Sequence, residues 1–316
     1  MTRYVLRRLA VMVPVLIGIT LLNYAIVNLA PGDAVDLLIN PSMSEADRAA
    51  RRQALGLDQP FFVRYVRWAG ETLHGNLGYS YTTSEPVARR IAERVGPSLL
   101  LMGTSYLVAY AAALPLGVLS AVHPYTWVDY LSGFAGLLGV SLPTFFLSLV
   151  SIYGFALKLG WLPTGGMTTL GGPFDLLDLL RHLALPALVL ALSNVGLVLR
   201  LVRSSTLEVL RQDYVRTARA KGLPQGAVIF RHALKNSLLP VVTMAGLQLP
   251  ALIGGAVVTE QVFQWPGMGS LSIQAILQRD YPTLMALNLL AAVAVLAGGL
   301  LADVLYAAID PRIRYE

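Results

Sequence analysis

The chain has 316 residues, of which 55% are hydrophobic and only 13% are charged. A soluble domain keeps about a quarter of its residues charged, so this composition excludes a single water-soluble core and favours a membrane protein. There is no cysteine, which excludes disulfides, thiolate metal sites and a cysteine nucleophile. In a membrane protein the net charge of +6 reports orientation and lipid contact, so we expect no nucleic-acid partner.

Six apolar runs are long enough to cross a hydrocarbon core of ~30 Å. The first is too long for a signal peptide, and "VNLAPGD" is a poor cleavage site, so we expect it to remain as a helix. The sequence therefore predicts an all-α integral membrane protein with six transmembrane helices. They lie near Leu9–Leu29, Ser98–Val122, Leu131–Leu157, Leu183–Val202, Leu238–Val258 and Leu284–Ala308.

The distribution of Lys and Arg predicts the orientation of these helices. Three arginines precede the first run, eight basic residues lie from Arg200 at the end of the fourth run to Lys235 before the fifth, and two follow the sixth. Of the eleven on the opposite side, eight lie in the long first loop, and long loops translocate largely regardless of charge. Both termini are therefore expected in the cytoplasm.

The first outer loop, residues 30–97, reads as short helices. Ser44 with Asp47 forms a capping box, Pro60 opens a second helix, and Pro86 opens a third. We interpret the loop as a cap over the outer mouth, with a specific ligand site as the alternative, and divide the chain into residues 1–97 and 98–316. Gly56 would end the first of these helices. We expect the second to lie in the membrane interface through a face that contains Phe61, Tyr65, Trp68 and Leu73. The third has apolar residues at every fourth position, which are Val87, Ile91 and Val95.

Motifs for catalysis are missing from the sequence. None of the three lysines follows a glycine, so there is no phosphate-binding loop ending in Gly-Lys-Ser/Thr. The four histidines are scattered, and neither HExxH nor GxSxG occurs. We therefore expect no catalytic residue, no metal site and no cofactor in this chain, which is not an enzyme.

Asp303 is the ionisable residue that lies clearly within a predicted span, near its inner end. Such groups are costly in lipid and often functional. We interpret Asp303 as a structural group satisfied by helix contacts or water, with a gate or pathway role as the alternative. The spans also contain prolines that free backbone carbonyls, which favours a multi-helix conduit; they are Pro115, Pro143, Pro186 and Pro250.

A basic segment between the fourth and fifth spans, Thr217–Pro240, contains no acidic residue. We expect a helix that continues inward from the fourth span, with Ser204 or Ser205 as a cap where its direction changes. Gly222 would end the helix in the left-handed conformation, and Pro224 would prevent its resumption on the same axis. A second helix then begins near Gln225, which makes a helix-glycine-helix elbow. Taken alone, its basic residues also fit an anchor to anionic lipid.

Several stretches along the whole chain resemble one family of transport proteins. "YVLRRL", "GNLGYSY", "DYVRTARAKG", "RHALKNSLLPVVT", "TEQVFQWPGMG", "RDYP" and "DVLYAAIDPRIR" occur in this order. Together they resemble the first of the two permease subunits in dipeptide/oligopeptide ABC importers. The elbow corresponds to the EAA loop of those permeases: Ala218, Gly222 and Leu234 match that motif, whereas Arg216, Thr217, His232 and Lys235 depart from it.

The resemblance implies a type I ABC importer permease fold in a prokaryotic inner membrane. A homologous second permease, two ATPase subunits that bind ATP and Mg, and an extracytoplasmic substrate-binding protein are the implied partners, besides membrane lipid. Peptides are the implied substrate, and nickel, glutathione or a sugar are alternatives. A stand-alone secondary transporter and an intramembrane enzyme are rival interpretations; few intramembrane charges and missing catalytic motifs count against them.

The resemblance also assigns roles to residues of the elbow at about 204–237. That loop would form a coupling helix on an ATPase subunit, with Ala218 allowing close approach, Gly222 setting the elbow and Leu234 seating the second helix. Because Arg216 replaces the glutamate of the motif, Arg216, Arg219 and Lys221 would instead meet acidic groups of the partner.

The outer motif "TEQVFQWPGMG" has two interpretations. In the first, Trp265 anchors in the membrane interface and Pro266–Gly267 forms a tight turn. In the second, which follows from the resemblance, the motif is an outer gate or a contact for the binding protein, with Glu260 as its first residue to test.

Overall fold

The computed structural model describes residues 2–29, 44, 53 and 58–309. Over these ranges the secondary structure is helical, with one isolated bridge between Tyr79 and Pro86. Asp47 and Gly56, which define the first helix predicted in the outer loop, lie outside the described residues.

The helices are α1 Thr2–Leu29, α2 Phe61–Leu73, α3 Val87–Val122, α4 Trp127–Ser141, α5 Thr144–Ser151, α6 Leu176–Leu210, α7 Asp213–Ala220, α8 Gln225–Ala227, α9 Leu234–Ser237, α10 Leu239–Gly254, α11 Val257–Val262, α12 Met268–Leu277 and α13 Tyr281–Ile309, with π-helical turns at Ile152–Lys158 and Val228–Ala233.

Five helical stretches of the described residues are long and apolar enough to span a membrane: α1, α3, α6, α13 and the stretch Leu239–Val262 that α10 and α11 make together. A bent pair makes a sixth when it is counted as one span. The bent pair is α4 and α5, whose axes differ by 102°. A single helix over Leu131–Leu157 is therefore a wrong prediction. The cause is local: Leu142 is extended, with φ −87° and ψ 129°, because Pro143 disfavours the helical conformation in the residue before it.

Helix α3 runs without interruption through Pro97. The predicted third outer helix and second span are thus one helix, and the division at residue 97 falls inside it. A proline in a helix removes one hydrogen bond, at a cost of about 3 kcal/mol. Burial of one continuous face offsets that cost, since Val87, Ile91, Ser98 and Leu101 are all buried on both sides of the proline.

Helix α2 packs on the outer end of α1 through aromatic rings. The ring of Tyr24 lies 5.4 Å from that of Phe61, 5.7 Å from Tyr65 and 5.6 Å from Trp68, measured between centroids. The face that we expected in the membrane interface is therefore mostly turned toward α1. Leu73, which is 88% exposed, does not share that contact.

Small residues allow the central helices to approach closely. Helix α6 contacts both α3 and α4, and at the crossing with α4 a Cβ atom on Gly136 would lie 3.0 Å from Cα of Gly196. Helix α10 meets α13 where a Cβ on Gly246 would lie 2.7 Å from Cβ of Ala302. Close packing of this kind drives helix association in lipid, because the surrounding lipid tails are as apolar as the helix surface and burial gives no hydrophobic gain. At 35 residues, α6 is about 52 Å long and so extends well beyond a bilayer core.

Candidate functional site

The basic segment forms the predicted elbow at the inner end of α6. Helix α7 ends before Gly222, whose φ of +76° is the left-handed conformation that only glycine adopts freely. Pro224 then begins the returning helix α8. The proposed serine cap is wrong, because α6 continues to Leu210 and the Ser205 hydroxyl donates to the carbonyl of Ser237 at 2.7 Å.

The two arms of the elbow share a small apolar core. Val215 and Ala218 of α7 pack with Val228 of the returning arm, and all three are almost fully buried. The Asn236 amide also donates to the Tyr214 hydroxyl at 2.8 Å. Ala218, at 5% exposure, therefore serves close approach within the elbow itself.

The outer surface of the elbow is basic and partly aromatic. The side chain of Arg216 is 73% exposed and lies 3.8 Å from the carboxylate of Asp213, while Arg219 and Lys221 are exposed beside it. Phe230 is 73% exposed on the returning arm, an unusual position for an aromatic ring outside the spans. Sequence reasoning missed Phe230, because a π-helical turn spans Val228–Ala233 and changes which residues face outward.

The remaining elbow residues differ in accessibility. Lys235 is exposed, whereas His232 and Leu234 are half-buried. The Thr217 hydroxyl donates to the Asp213 carbonyl within the same helix at 2.9 Å. Among the predicted set, the arginines and lysines are thus the groups available to a partner.

On the opposite side, the carboxylate of Glu260 is fully buried and accepts hydrogen bonds from three elements. Its donors are the Ser98 hydroxyl of α3 at 2.8 Å, the Ala256 N–H at 3.1 Å and the Ser270 N–H at 2.9 Å. Ser98 in turn accepts from the Met268 N–H at 2.7 Å. Helix α12 begins at Met268 after a glycine, so Glu260 and Ser98 satisfy N–H groups that a cap side chain would normally bind.

Trp265 is fully buried, so its interpretation as an interfacial anchor is wrong. Its indole N–H donates to the Pro97 carbonyl of α3 at 2.9 Å. The Pro266–Gly267 turn forms as predicted, with the Gly267 N–H donating to the Trp265 carbonyl at 2.8 Å. A Cβ on Gly267 would overlap the Glu260 carboxylate, so this position has no room for another residue.

Asp303 pairs with Arg8 at the inner ends of α13 and α1. The Arg8 Nε atom lies 2.8 Å from Asp303 Oδ2, and the two side chains are 47% and 28% exposed. The geometry favours the structural interpretation of Asp303. Over the described residues, no group of three His, Asp or Glu side chains is arranged to hold a metal ion.

Comparison with known proteins identifies the family. The model of the binding-protein-dependent transport system inner membrane component matches residues 113–315, and the model of its N-terminal part matches residues 1–102. The chain belongs to this family. A multi-pass inner membrane location follows from this membership together with the apolar helices.

This inner membrane component is similar to curated relatives over its full length. It is 44% identical to the oligopeptide transport system permease protein AppB of Bacillus subtilis, and 40% identical to the glutathione transport system permease protein GsiC of Salmonella paratyphi A, with 100% of each chain covered. It is 38% identical to the dipeptide transport system permease protein DppB of Alkalihalophilus pseudofirmus, again with 100% coverage of both chains.

A solved structure of an ABC transporter shares this fold. An inward-facing conformation of the MetNI methionine ABC transporter matches with a TM-score of 0.57 at 18% identity. The match covers 72% of this chain and 100% of that one. At this identity the similarity concerns the fold alone.

Proposed function

We propose that this protein imports di- and oligopeptides as one membrane subunit of an ATP-driven importer. A second, homologous permease completes the pathway, two cytoplasmic ATPase subunits bind ATP and Mg, and an extracytoplasmic binding protein delivers the peptide. Relatives named for oligopeptide and dipeptide transport support the substrate class. The relative named for glutathione transport supports a modified tripeptide as the nearest alternative.

The elbow at residues 213–237 is the observation that supports the coupling to ATPases. It has its own apolar core, so it can transmit a push or pull as a rigid unit. Its exposed surface carries Arg216, Arg219, Lys221 and Phe230, which suits a cleft with acidic and apolar groups on a partner. In our proposal Leu234 seats the returning arm, and Gly222 sets the angle between the two arms.

Cysteine cross-linking tests this docking directly, because the chain has no native cysteine. We expect Lys221→Cys to cross-link to an ATPase subunit in the assembled importer. Ala218→Cys is the matched control, since that position is buried within the elbow and should react weakly. Equal cross-linking at both positions, or none at Lys221, would refute the docking.

The role of Gly222 is tested by Gly222→Ala with Gly226→Ala as its control. A Cβ atom meets no other atom within 4 Å at either position, but only Gly222 has a positive φ. We therefore expect a cost of about 1–2 kcal/mol at Gly222 alone, from backbone strain. Peptide uptake per ATP hydrolysed should fall in Gly222→Ala and remain normal in Gly226→Ala.

The buried carboxylate of Glu260 fits an outer gate better than a contact for another protein. Glu260 and Trp265 have no exposed surface, so a docking partner cannot reach them in this conformation. We propose that they hold the start of α12 on α3, so that this part of the outer wall moves as one unit during transport.

Reconstitution of the importer tests the substrate. Uptake of labelled di- and oligopeptides should require ATP, both permeases and the binding protein. Uptake of nickel, glutathione or a sugar in place of peptides would reassign the substrate. Uptake by this chain alone under an ion gradient would instead show a secondary transporter.

A further inference from the structure

A cavity of about 270 Å³ opens on the outer side, between the first turns of α3 and the last turns of α12. Charge distribution places it outside, because α3 follows the long first loop and α12 lies between the fifth and sixth spans. Its lining is polar, which distinguishes it from the apolar surface of the spans. The lining residues are Thr83, Glu85, Arg90, Glu93, Arg94, Gln274 and Gln278.

One wall of the cavity is fixed by a buried carboxylate. Asp280 has no exposed surface and accepts hydrogen bonds from the Ser80 hydroxyl at 2.6 Å, the Tyr81 N–H at 3.0 Å and the Thr283 hydroxyl at 2.7 Å. It also pairs with Arg90 Nη1 at 2.8 Å. These bonds join the loop before α3, α3 itself and the start of α13, so the wall is held in place before any partner arrives.

Two charged side chains of the cavity have no partner among the described residues. Arg94 lies one turn beyond Arg90 on α3, and in the part of the chain that the structure describes its half-buried guanidinium has no hydrogen bond or ion pair. The exposed Glu85 carboxylate is likewise unpaired across the described residues, although its backbone carbonyl accepts from Ser80. Gln274 of α12 and Gln278, the residue that follows this helix, add two amides. The cavity thus offers a cation, an anion and neutral hydrogen-bonding groups on a rigid frame.

We propose that this cavity is a docking site for the extracytoplasmic binding protein, which would insert an acidic side chain toward Arg94 and a basic one toward Glu85. This inference rests on the proposed function. A folded protein fits better than a free peptide, because small-ligand sites are enclosed and mostly apolar, whereas this cavity is open and polar. Complementary charges at such a rim chiefly raise the rate and specificity of association.

The test uses the complete importer in lipid nanodiscs and purified peptide-binding proteins of the source organism, each added singly. The measured quantity is the concentration of binding protein that half-saturates ATPase stimulation. Arg94→Glu and Glu85→Lys should each raise it about 3- to 10-fold at low salt and less at high salt. Basal ATPase activity should not change, because neither side chain has a partner to lose. Arg67→Glu, an exposed charge on α2 on the same side, is the control and should change the concentration less than 2-fold.

The outcomes separate docking from the proposed function. A wild-type importer that is stimulated, with unchanged half-saturation in Arg94→Glu and Glu85→Lys, would overturn the docking site alone. If no binding protein stimulates the wild-type importer, the proposed function fails and the docking site with it. Arg94→Gln removes the charge without reversing it and so covers the case in which Arg94→Glu misfolds. A smaller increase in the half-saturating concentration of binding protein in Arg94→Gln supports docking. A change in stimulation by free peptide without binding protein would overturn docking in favour of a peptide site.

Discussion

Removal of the Glu260 carboxylate should destabilise the outer half of the protein strongly. Glu260→Ala leaves the N–H groups of the half-buried Ala256 and the buried Ser270 without acceptors. A buried unsatisfied donor costs about 1–3 kcal/mol, so the Ser270 N–H accounts for about that much and the half-buried Ala256 N–H adds a smaller loss. The Ser98 hydroxyl loses its acceptor too, although it still accepts from Met268. Most of the loss should arise at the start of α12.

The assay is unfolding of the purified permease in mixed micelles with increasing dodecyl sulfate, followed by circular dichroism. Glu208→Ala is the matched control, since Glu208 is exposed near the inner end of α6 and should change the free energy of unfolding by less than about 0.5 kcal/mol. Glu260→Gln keeps one acceptor oxygen and should give an intermediate loss. A Glu260→Ala variant as stable as the wild type would refute the reasoning, because its buried N–H groups would then have found other partners at no cost.

Two further predictions concern helix contacts. A double-mutant cycle on Arg8 and Asp303 should give a coupling energy of about 0.2–1 kcal/mol, because both side chains are partly exposed at the inner ends of their helices; a coupling above about 3 kcal/mol would contradict that exposure. Gly196→Leu should prevent α4 from packing on α6, because a side chain there overlaps the backbone of Gly136. We expect loss of folded protein on size-exclusion chromatography, whereas Gly133→Leu, where a Cβ meets no other atom within 4 Å, should fold normally.

Much of the fold follows from local properties of the sequence. The spans are readable because lipid requires long apolar helices, and their orientation follows from where Lys and Arg accumulate. The elbow can also be predicted from the sequence, since Gly222 adopts the left-handed conformation that ends the first helix and Pro224 begins the second helix in a new direction. The bend at Pro143 has an equally local cause, but an unbroken apolar run conceals it.

The candidate site was only partly predictable, because accessibility depends on contacts between distant residues. The arginines and lysines of the elbow are exposed as expected, but the exposure of Phe230 and the burial of Ala218 depend on how the two arms pack. Trp265 is of a residue type that is common in the membrane interface, and yet it is buried. Its burial is decided by α3, whose Pro97 carbonyl it binds across 168 residues of sequence.

The sequence alone therefore determines the membrane-spanning helices, their orientation and the inner elbow, since each depends on hydrophobicity, charge or backbone preference over a few neighbouring residues. Only the tertiary structure decides where the polar groups of the outer side find their partners. Asp280 and Arg90 are 190 residues apart, and Glu260 and Ser98 are 162 apart. Nothing within one helix indicates such pairs, because a buried charge is satisfied by whichever donors the packing of other helices brings to it.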